Sequence, residues 1–151
     1  MTSGFATFGP EHDAFRNTVR AFVAREIRPH VTAWEQGEHF PDSLYRLAAA
    51  QGFFGLRYAT QWGGSQAGPL FEAVLHEELS KCGSAGVAAG LGAQATIATN
   101  PLHAFGSESL KQRFLAPAIA GEKIGAFAVT EPHSGSDVAS LKTTARREGD
   151  A

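Results

Sequence analysis

The chain has 151 residues with a formal net charge of −2 and 43% hydrophobic content, enough for one domain or for a domain and part of another. The near-neutral charge excludes a general nucleic-acid binder, which needs a basic face, and the single Cys82 excludes an internal disulfide framework and suits a reducing compartment. No apolar run approaches the ~20 residues of a membrane span, and no basic-then-apolar leader opens the chain, so the expected location is cytoplasmic.

Residues 1–8 read as a loose tail. Gly9-Pro10 then opens a first helix, with Pro at its first position and Glu11 and Asp13 in its first turn. Phe15, Val19, Phe22, Val23 and Ile27 form one helical stripe, and Pro29 is expected to end it. Trp34 lies in a stretch that reads as helix or loop. Pro41 opens a second helix with Leu44, Leu47 and Ala48 inward and Gly52 as its stop. The glycine-rich stretch 51–68 reads as an ordered loop, because Phe53, Phe54, Leu56, Tyr58 and Trp62 are too apolar for a linker.

Pro69 begins a third helix, with Phe71, Val74, Leu75 and Leu79 inward and Glu72, Glu77 and Glu78 mostly outward, as solvated groups or packing ion pairs. Ser84 is a candidate cap for a fourth helix over 85–99, built almost wholly of small residues. Ala89, Ala93 and Ile97 share one of its faces, with Gly86 and Gly90 beside them; such a face admits either another backbone or a ligand. Asn100-Pro101 is expected to break this helix into a short turn reaching Gly106. Ser107 caps a fifth helix carrying Leu110, Phe114 and Leu115, ended or kinked near Pro117 and finished by Gly121.

The period then changes. Residues 124–130 alternate as in a strand covered on both faces. Residues 141–147 read as a second strand and Glu148-Gly149-Asp150 as a hairpin turn. A hairpin turn without its second strand predicts that the complete protein continues. Between the strands, Thr130 to Asp137 is dense in hydroxyls and turn formers. Gly135-Ser136 can present successive N–H groups to an anion such as a phosphate; the alternative is a β-turn stabilised by Ser and Asp side chains. Neither a Walker motif nor a Rossmann fingerprint is present.

The run Ala128-Val129-Thr130-Glu131-Pro132-His133-Ser134-Gly135-Ser136-Asp137 resembles the first signature of the acyl-CoA dehydrogenases, with Thr-Glu-Pro-x-x-Gly-Ser-Asp intact. The stretches 52–64, 77–79 and 105–132 are similar to the same family, in register over residues 8–150. The resemblance implies a mainly α fold: an N-terminal orthogonal helical domain (1–122), then the first strands of a truncated β-barrel domain (123–151). By the same resemblance, a C-terminal helical bundle is expected to lie outside this sequence. It also implies FAD as cofactor, an acyl-CoA thioester as substrate, an acceptor such as electron-transfer flavoprotein, and a tetramer or dimer when full length.

By the same resemblance, Phe127 and Val129 lie against the flavin ring and Thr130 hydrogen-bonds its N5 edge. Gly135 and Ser136 meet the pyrophosphate, and Ser136 also touches the substrate. Ala89, Gly90, Ala93 and Ile97 line a roomy acyl pocket. The family's glutamate base belongs to the C-terminal domain, so no catalytic residue is expected here, and Glu131 is expected to serve the turn. Departures are few. Phe127 stands where the family often has Tyr, Trp62 where Tyr is usual, and His133-Ser134 where many members carry two small residues, His133 reading as a spectator. An acyl-CoA oxidase or flavin monooxygenase of the same superfamily, and a non-catalytic helical interaction module, are the alternatives.

Overall fold

The computed structural model describes residues 7–149; residues 1–6 and 150–151 lie outside it, and with them most of the expected tail and Asp150 of the expected hairpin turn. Phe8 is not loose, since its ring packs edge-on to His12 and under the Arg16 guanidinium.

Among the described residues, eight α-helices follow in order. They are α1 (Pro10–Phe22), α2 (Val31–Gln36), α3 (Ser43–Ala50), α4 (Pro69–Leu79), α5 (Ala85–Gly92), α6 (Asn100–Phe105), α7 (Glu108–Leu110) and α8 (Ala116–Ile119). Gly9 caps α1 with Pro10 in its first turn, and its N–H donates to His12 Nδ1 at 2.9 Å. The Oγ of Ser84 accepts from Val87 N at 3.1 Å and that of Ser107 from Leu110 N at 3.3 Å, satisfying donors that a helix start leaves open.

Wider π turns carry three helices onward: Val23–Ile27 after α1, Ala93–Ile97 after α5 and Lys111–Leu115 after α7. They explain two departures from the predicted breaks. The chain passes Pro29 through a 3₁₀ turn, Arg28–His30, straight into α2, which carries Trp34. It passes Pro117 because the preceding turn is already widened, Ala116 N donating to Lys111 O. The fourth helix does end before Asn100-Pro101, with bends at Ala98 and Thr99, but the short turn expected up to Gly106 is instead α6, with Pro in its first turn.

One core holds the assembly together. Val19, Phe22, Val23 and Ile27 meet Leu44, Ala48, Phe53, Phe54, Leu75 and Leu79. Each large side chain buried there contributes about 2 kcal/mol of transfer free energy. Leu47, expected inward, is exposed, because α3 buries the neighbouring stripe of Leu44, Tyr45 and Ala48. A satellite cluster of Tyr58, Trp62, Leu115 and Ile119 sits under the glycine-rich loop. That loop is ordered as predicted, tied by Ser65 N to Gly55 O (2.9 Å) and Ala67 N to Leu56 O (2.7 Å). A Cβ at Gly64 would fall 2.0 Å from Tyr58 O, so this loop closes only around glycine.

Glu78 is the largest correction on α4. Its side chain is 1% exposed, not outward. It accepts from Arg16 Nη1 (2.9 Å), Arg20 Nε (3.1 Å) and Nη2 (3.1 Å), and Lys81 Nζ (2.8 Å). Burial pushes this carboxyl up, but the hydrogen bonds from Arg20, Lys81 and Arg16 outweigh it and hold it at about 2. Glu72 is half-buried in a two-pronged pair with Arg57 at 2.5 and 2.6 Å, and Glu77 is exposed and paired with Arg16.

Among the described residues no strand ladder forms. Residues 126–130 make no backbone hydrogen bond, and Ile124 and Phe127 are exposed rather than covered on both faces. Alternation records the burial a segment is suited to, but a ladder also needs a second edge, and residues 141–147 do not pair with this one. No helix among the described residues is long and apolar enough to cross a membrane.

Candidate functional site

The site is built where α5 ends. Its π turn carries Gln94, whose side chain is buried. The Gln94 amide donates from Nε2 to Ala118 O (2.9 Å) and Lys123 O (3.0 Å), and its Oε1 accepts from Gly125 N (2.8 Å). Behind it, Thr99 Oγ1 donates to Gln94 O (3.1 Å), so the Tyr58 hydroxyl, 2.6 Å away, donates in turn to Thr99 Oγ1. Burial pushes the Tyr58 hydroxyl pKa up, which keeps it a donor.

From Gly125 the chain leaves the helices as an arm. Phe127 is 54% exposed, Val129 is half-buried and Thr130 is exposed. A tight turn follows, closed by Glu131 N to Ser134 O (2.9 Å) and Ser134 N to Glu131 O (3.1 Å). Ser134 is buried, and its Oγ donates to Asp137 O at 2.6 Å. The Glu131 carboxylate accepts from Lys142 N (2.9 Å), Thr143 N (2.8 Å) and the Thr143 hydroxyl, which hold its pKa below the usual carboxylate value, the hydroxyl first. Glu131 therefore ties the turn to the chain that follows. His133 Nε2 lies 3.2 Å from Glu131 Oε2, so His133 belongs to that turn.

Gly135 and Ser136 sit exposed at the tip, and a Cβ on Gly135 would meet nothing within 4 Å. The hydroxyls of Thr130 and Ser136 make no hydrogen bond among the described residues. An exposed ring, an unpartnered hydroxyl at the end of an extended segment and an open glycine-serine tip are what a flat aromatic cofactor with a diphosphate would contact. The residues present fit FAD.

The small residues of the fourth helix divide between two tasks. A Cβ at Gly90 would lie 2.9 Å from the Phe40 ring and 3.0 Å from the Tyr45 hydroxyl, so that side serves packing. Ala89 is exposed, Ala93 half-buried and Ile97 53% exposed, which leaves the Ala89–Ala93–Ile97 side open. No hydrogen bond joins Ala93 or Ile97 to Thr130, Gly135 or Ser136. The contact between the two groups runs through Gln94 and Gly125.

Sequence reasoning passed over Gln94 and Ser134. Gln94 carried a signal: it falls three residues after Leu91 and seven after Val87, on the buried stripe, as the only amide of residues 85–98. Ser134 was legible only as one of the serines that could stabilise the turn; its burial comes from the turn closing over it and had no signal.

The fold is a helical domain that ends in an arm with a polar turn. The family model for the acyl-CoA dehydrogenase N-terminal domain matches residues 9–122. The chain belongs to the acyl-CoA dehydrogenase family. It is 35% identical over 144 residues to the 3-(aryl)acrylate reductase of Clostridium sporogenes, covering 95% of this chain and 38% of that protein. A probable acyl CoA dehydrogenase from Mycobacterium abscessus has a crystal structure that aligns with TM-score 0.86 at 40% identity, over 96% of this chain and 39% of that one. An acyl-CoA dehydrogenase complexed with FAD from Bacillus anthracis aligns with TM-score 0.81 at 33% identity, over 89% of this chain and 23% of that one. The chain spans less than two fifths of the length of the curated relatives it matches.

Proposed function

We propose that this chain is the N-terminal part of an FAD-dependent acyl-CoA dehydrogenase that oxidises an acyl-CoA thioester to the 2,3-enoyl-CoA. Residues 1–122 act as its helical domain and 123–151 as the start of a β domain. The observation that carries the reading is the arm. Every buried side-chain polar atom among the described residues has a partner, yet Phe127, Thr130 and Ser136 stand exposed in one short stretch. The family relationship, with a relative solved in complex with FAD, supports reading that stretch against a flavin.

Phe127 and Val129 lay apolar surface against the isoalloxazine ring and exclude water from it. Thr130 directs a hydrogen bond at the N5 edge, and Gly135 and Ser136 offer N–H and O–H donors to the diphosphate. Ser136, Ala93 and Ile97 contact the acyl-CoA, and the small Ala93 leaves room for the acyl chain. Bound there, FAD supplies the acceptor for the hydride from Cβ of the thioester. The α proton goes to a glutamate outside this chain, made removable by hydrogen bonds to the thioester carbonyl. Glu131 is excluded as that base, since its carboxylate is already occupied by residues 142 and 143. Electrons pass on to an acceptor such as an electron-transfer flavoprotein, and the complete protein works as a cytoplasmic homo-oligomer.

The test is the visible spectrum of the complete protein that carries this sequence, purified as expressed, followed by anaerobic mixing with a panel of acyl-CoAs. Flavin absorbance bleached by an acyl-CoA is the expected result, and slow re-oxidation in air separates a dehydrogenase from an oxidase. A colourless protein that cannot take up FAD contradicts the reading.

A further inference from the structure

We infer that Gln94 is a positioning residue: it sets the spacing between the open Ala93–Ile97 face of the α5 π turn and the Gly125–Thr130 arm. The naming of those two surfaces as substrate and flavin walls rests on the proposed function; the clamp itself rests on geometry alone.

Three observations converge on this side chain. First, all its side-chain hydrogen-bonding groups are engaged with backbone, at three points from α8 to the start of the arm, Ala118, Lys123 and Gly125. Two carbonyls require two donors and one N–H requires an acceptor, and a primary amide supplies that set on one planar group. A glutamate of the same shape lacks the donors and would face both carbonyls with a carboxylate.

Second, Gly125 is the last point at which the arm is held. Its N–H is bound to Gln94, and residues 126–130 have no backbone partner among the described residues. A Cβ at Gly125 would lie 3.1 Å from the Ala98 Cβ and 3.5 Å from Gln94 Oε1, so the arm lies close against the helix and a methyl there requires one of the two to give. Phe127 and Thr130 stand two and five residues beyond that anchor, and any shift there is passed to them.

Third, Gln94 lies between Ala93 and Ile97 on the same π turn, where the helix already departs from α geometry, Ala98 N donating to Ala93 O at 2.8 Å. Its own carbonyl is held by Thr99, which is held by Tyr58, all three side chains being buried. The glycine-rich loop, the small-residue helix and the arm are thereby joined through one buried polar chain. Such a chain has few alternative arrangements, since breaking any link leaves a buried group unpaired.

The experiment uses the complete flavoprotein with Gln94→Met, which keeps length and loses all three bonds, and with Gln94→Glu, which keeps the acceptor for Gly125. Gly125→Ala is a third variant that presses the arm away while leaving Gln94 intact. Backbone hydrogen exchange, the spectrum of the bound flavin and steady-state kinetics are followed together. Exchange at the amide of residue 125, the one the Gln94 side chain protects, should rise at least about tenfold in Gln94→Met and Gly125→Ala and less in Gln94→Glu, with the 55–67 loop unchanged. The flavin spectrum should shift, and kcat should fall by about tenfold with KM changed less than about threefold. A rise in exchange spread evenly over the helices, with kcat per bound flavin unchanged, would show a plain packing residue and overturn the inference. If the wild-type protein is colourless, the functional reading fails, and exchange at the residue 125 amide, which needs no flavin, decides the clamp.

Discussion

Between α1 and α4, the Glu78 carboxylate is buried and surrounded by Arg16, Arg20 and Lys81. Beyond Gly125, an aromatic ring lies open and the Thr130 and Ser136 hydroxyls have no partner among the described residues. Both regions carry polar groups next to apolar ones. In the first, the chain supplies its own counter-charges and the result is stability. In the second, the described residues supply no partner, and under the proposed function what those residues contribute is contact with the flavin. A substitution in the helical core should therefore be read in melting, and one in the arm in flavin chemistry.

The largest break in this contrast is Gly64→Ala. Its Cβ would have to displace the Tyr58 carbonyl, 2.0 Å away, and unseat the satellite cluster with it. Loss of about 3 kcal/mol in denaturant unfolding is expected.

Glu78→Gln comes next, at about 2 kcal/mol, because a neutral amide holds three cationic side chains poorly. Its pH dependence sharpens the point. The folded carboxyl is depressed from its ordinary value near 4.5 to about 2, so its stabilisation is present above 4.5 and is lost as pH falls toward 2. Acid titration of unfolding should show that loss in the wild type and less of it in Glu78→Gln. Equal slopes would remove Glu78 from the account.

Phe127→Ala should do the opposite of both. With the ring more than half exposed, the melt should move by under about 0.5 kcal/mol, while flavin affinity falls several-fold in equilibrium dialysis. A large loss of stability would place Phe127 in the core.

Much of the helical domain was legible, because its apolar residues recur at helical spacing and its starts carry Pro, Ser and Gly in the right places. Ser84 and Ser107 cap as their positions suggest. Asn100-Pro101 marked the end of the fourth helix correctly, but the short turn expected after it is α6, because a proline both interrupts one helix and opens the next. The π turns were invisible, since no local residue pattern demands them.

Glu78 and Gln94 share one lesson. Each is a polar residue at an apolar stripe position, Glu78 three after Leu75 and Gln94 three after Leu91. That position announces a buried network, but the partners come from far along the chain and cannot be read locally. The strand at 124–130 shows the converse: its pattern was visible, and the ladder it suits is not formed by the described residues. The polar turn was legible as a motif and Glu131 as a residue that serves it, while the burial of Ser134 and the partners of Glu131 at residues 142 and 143 were not.

Thr130→Ala tests the central claim most directly, because it removes one exposed, unpartnered hydroxyl from the arm. In the complete protein, stopped-flow reduction of the flavin by acyl-CoA should slow by about tenfold, or about 1.4 kcal/mol of barrier. The unfolding midpoint should stay where it is. An unchanged rate, or a slowed rate that only tracks lost stability, would contradict the assignment of the arm as a flavin wall.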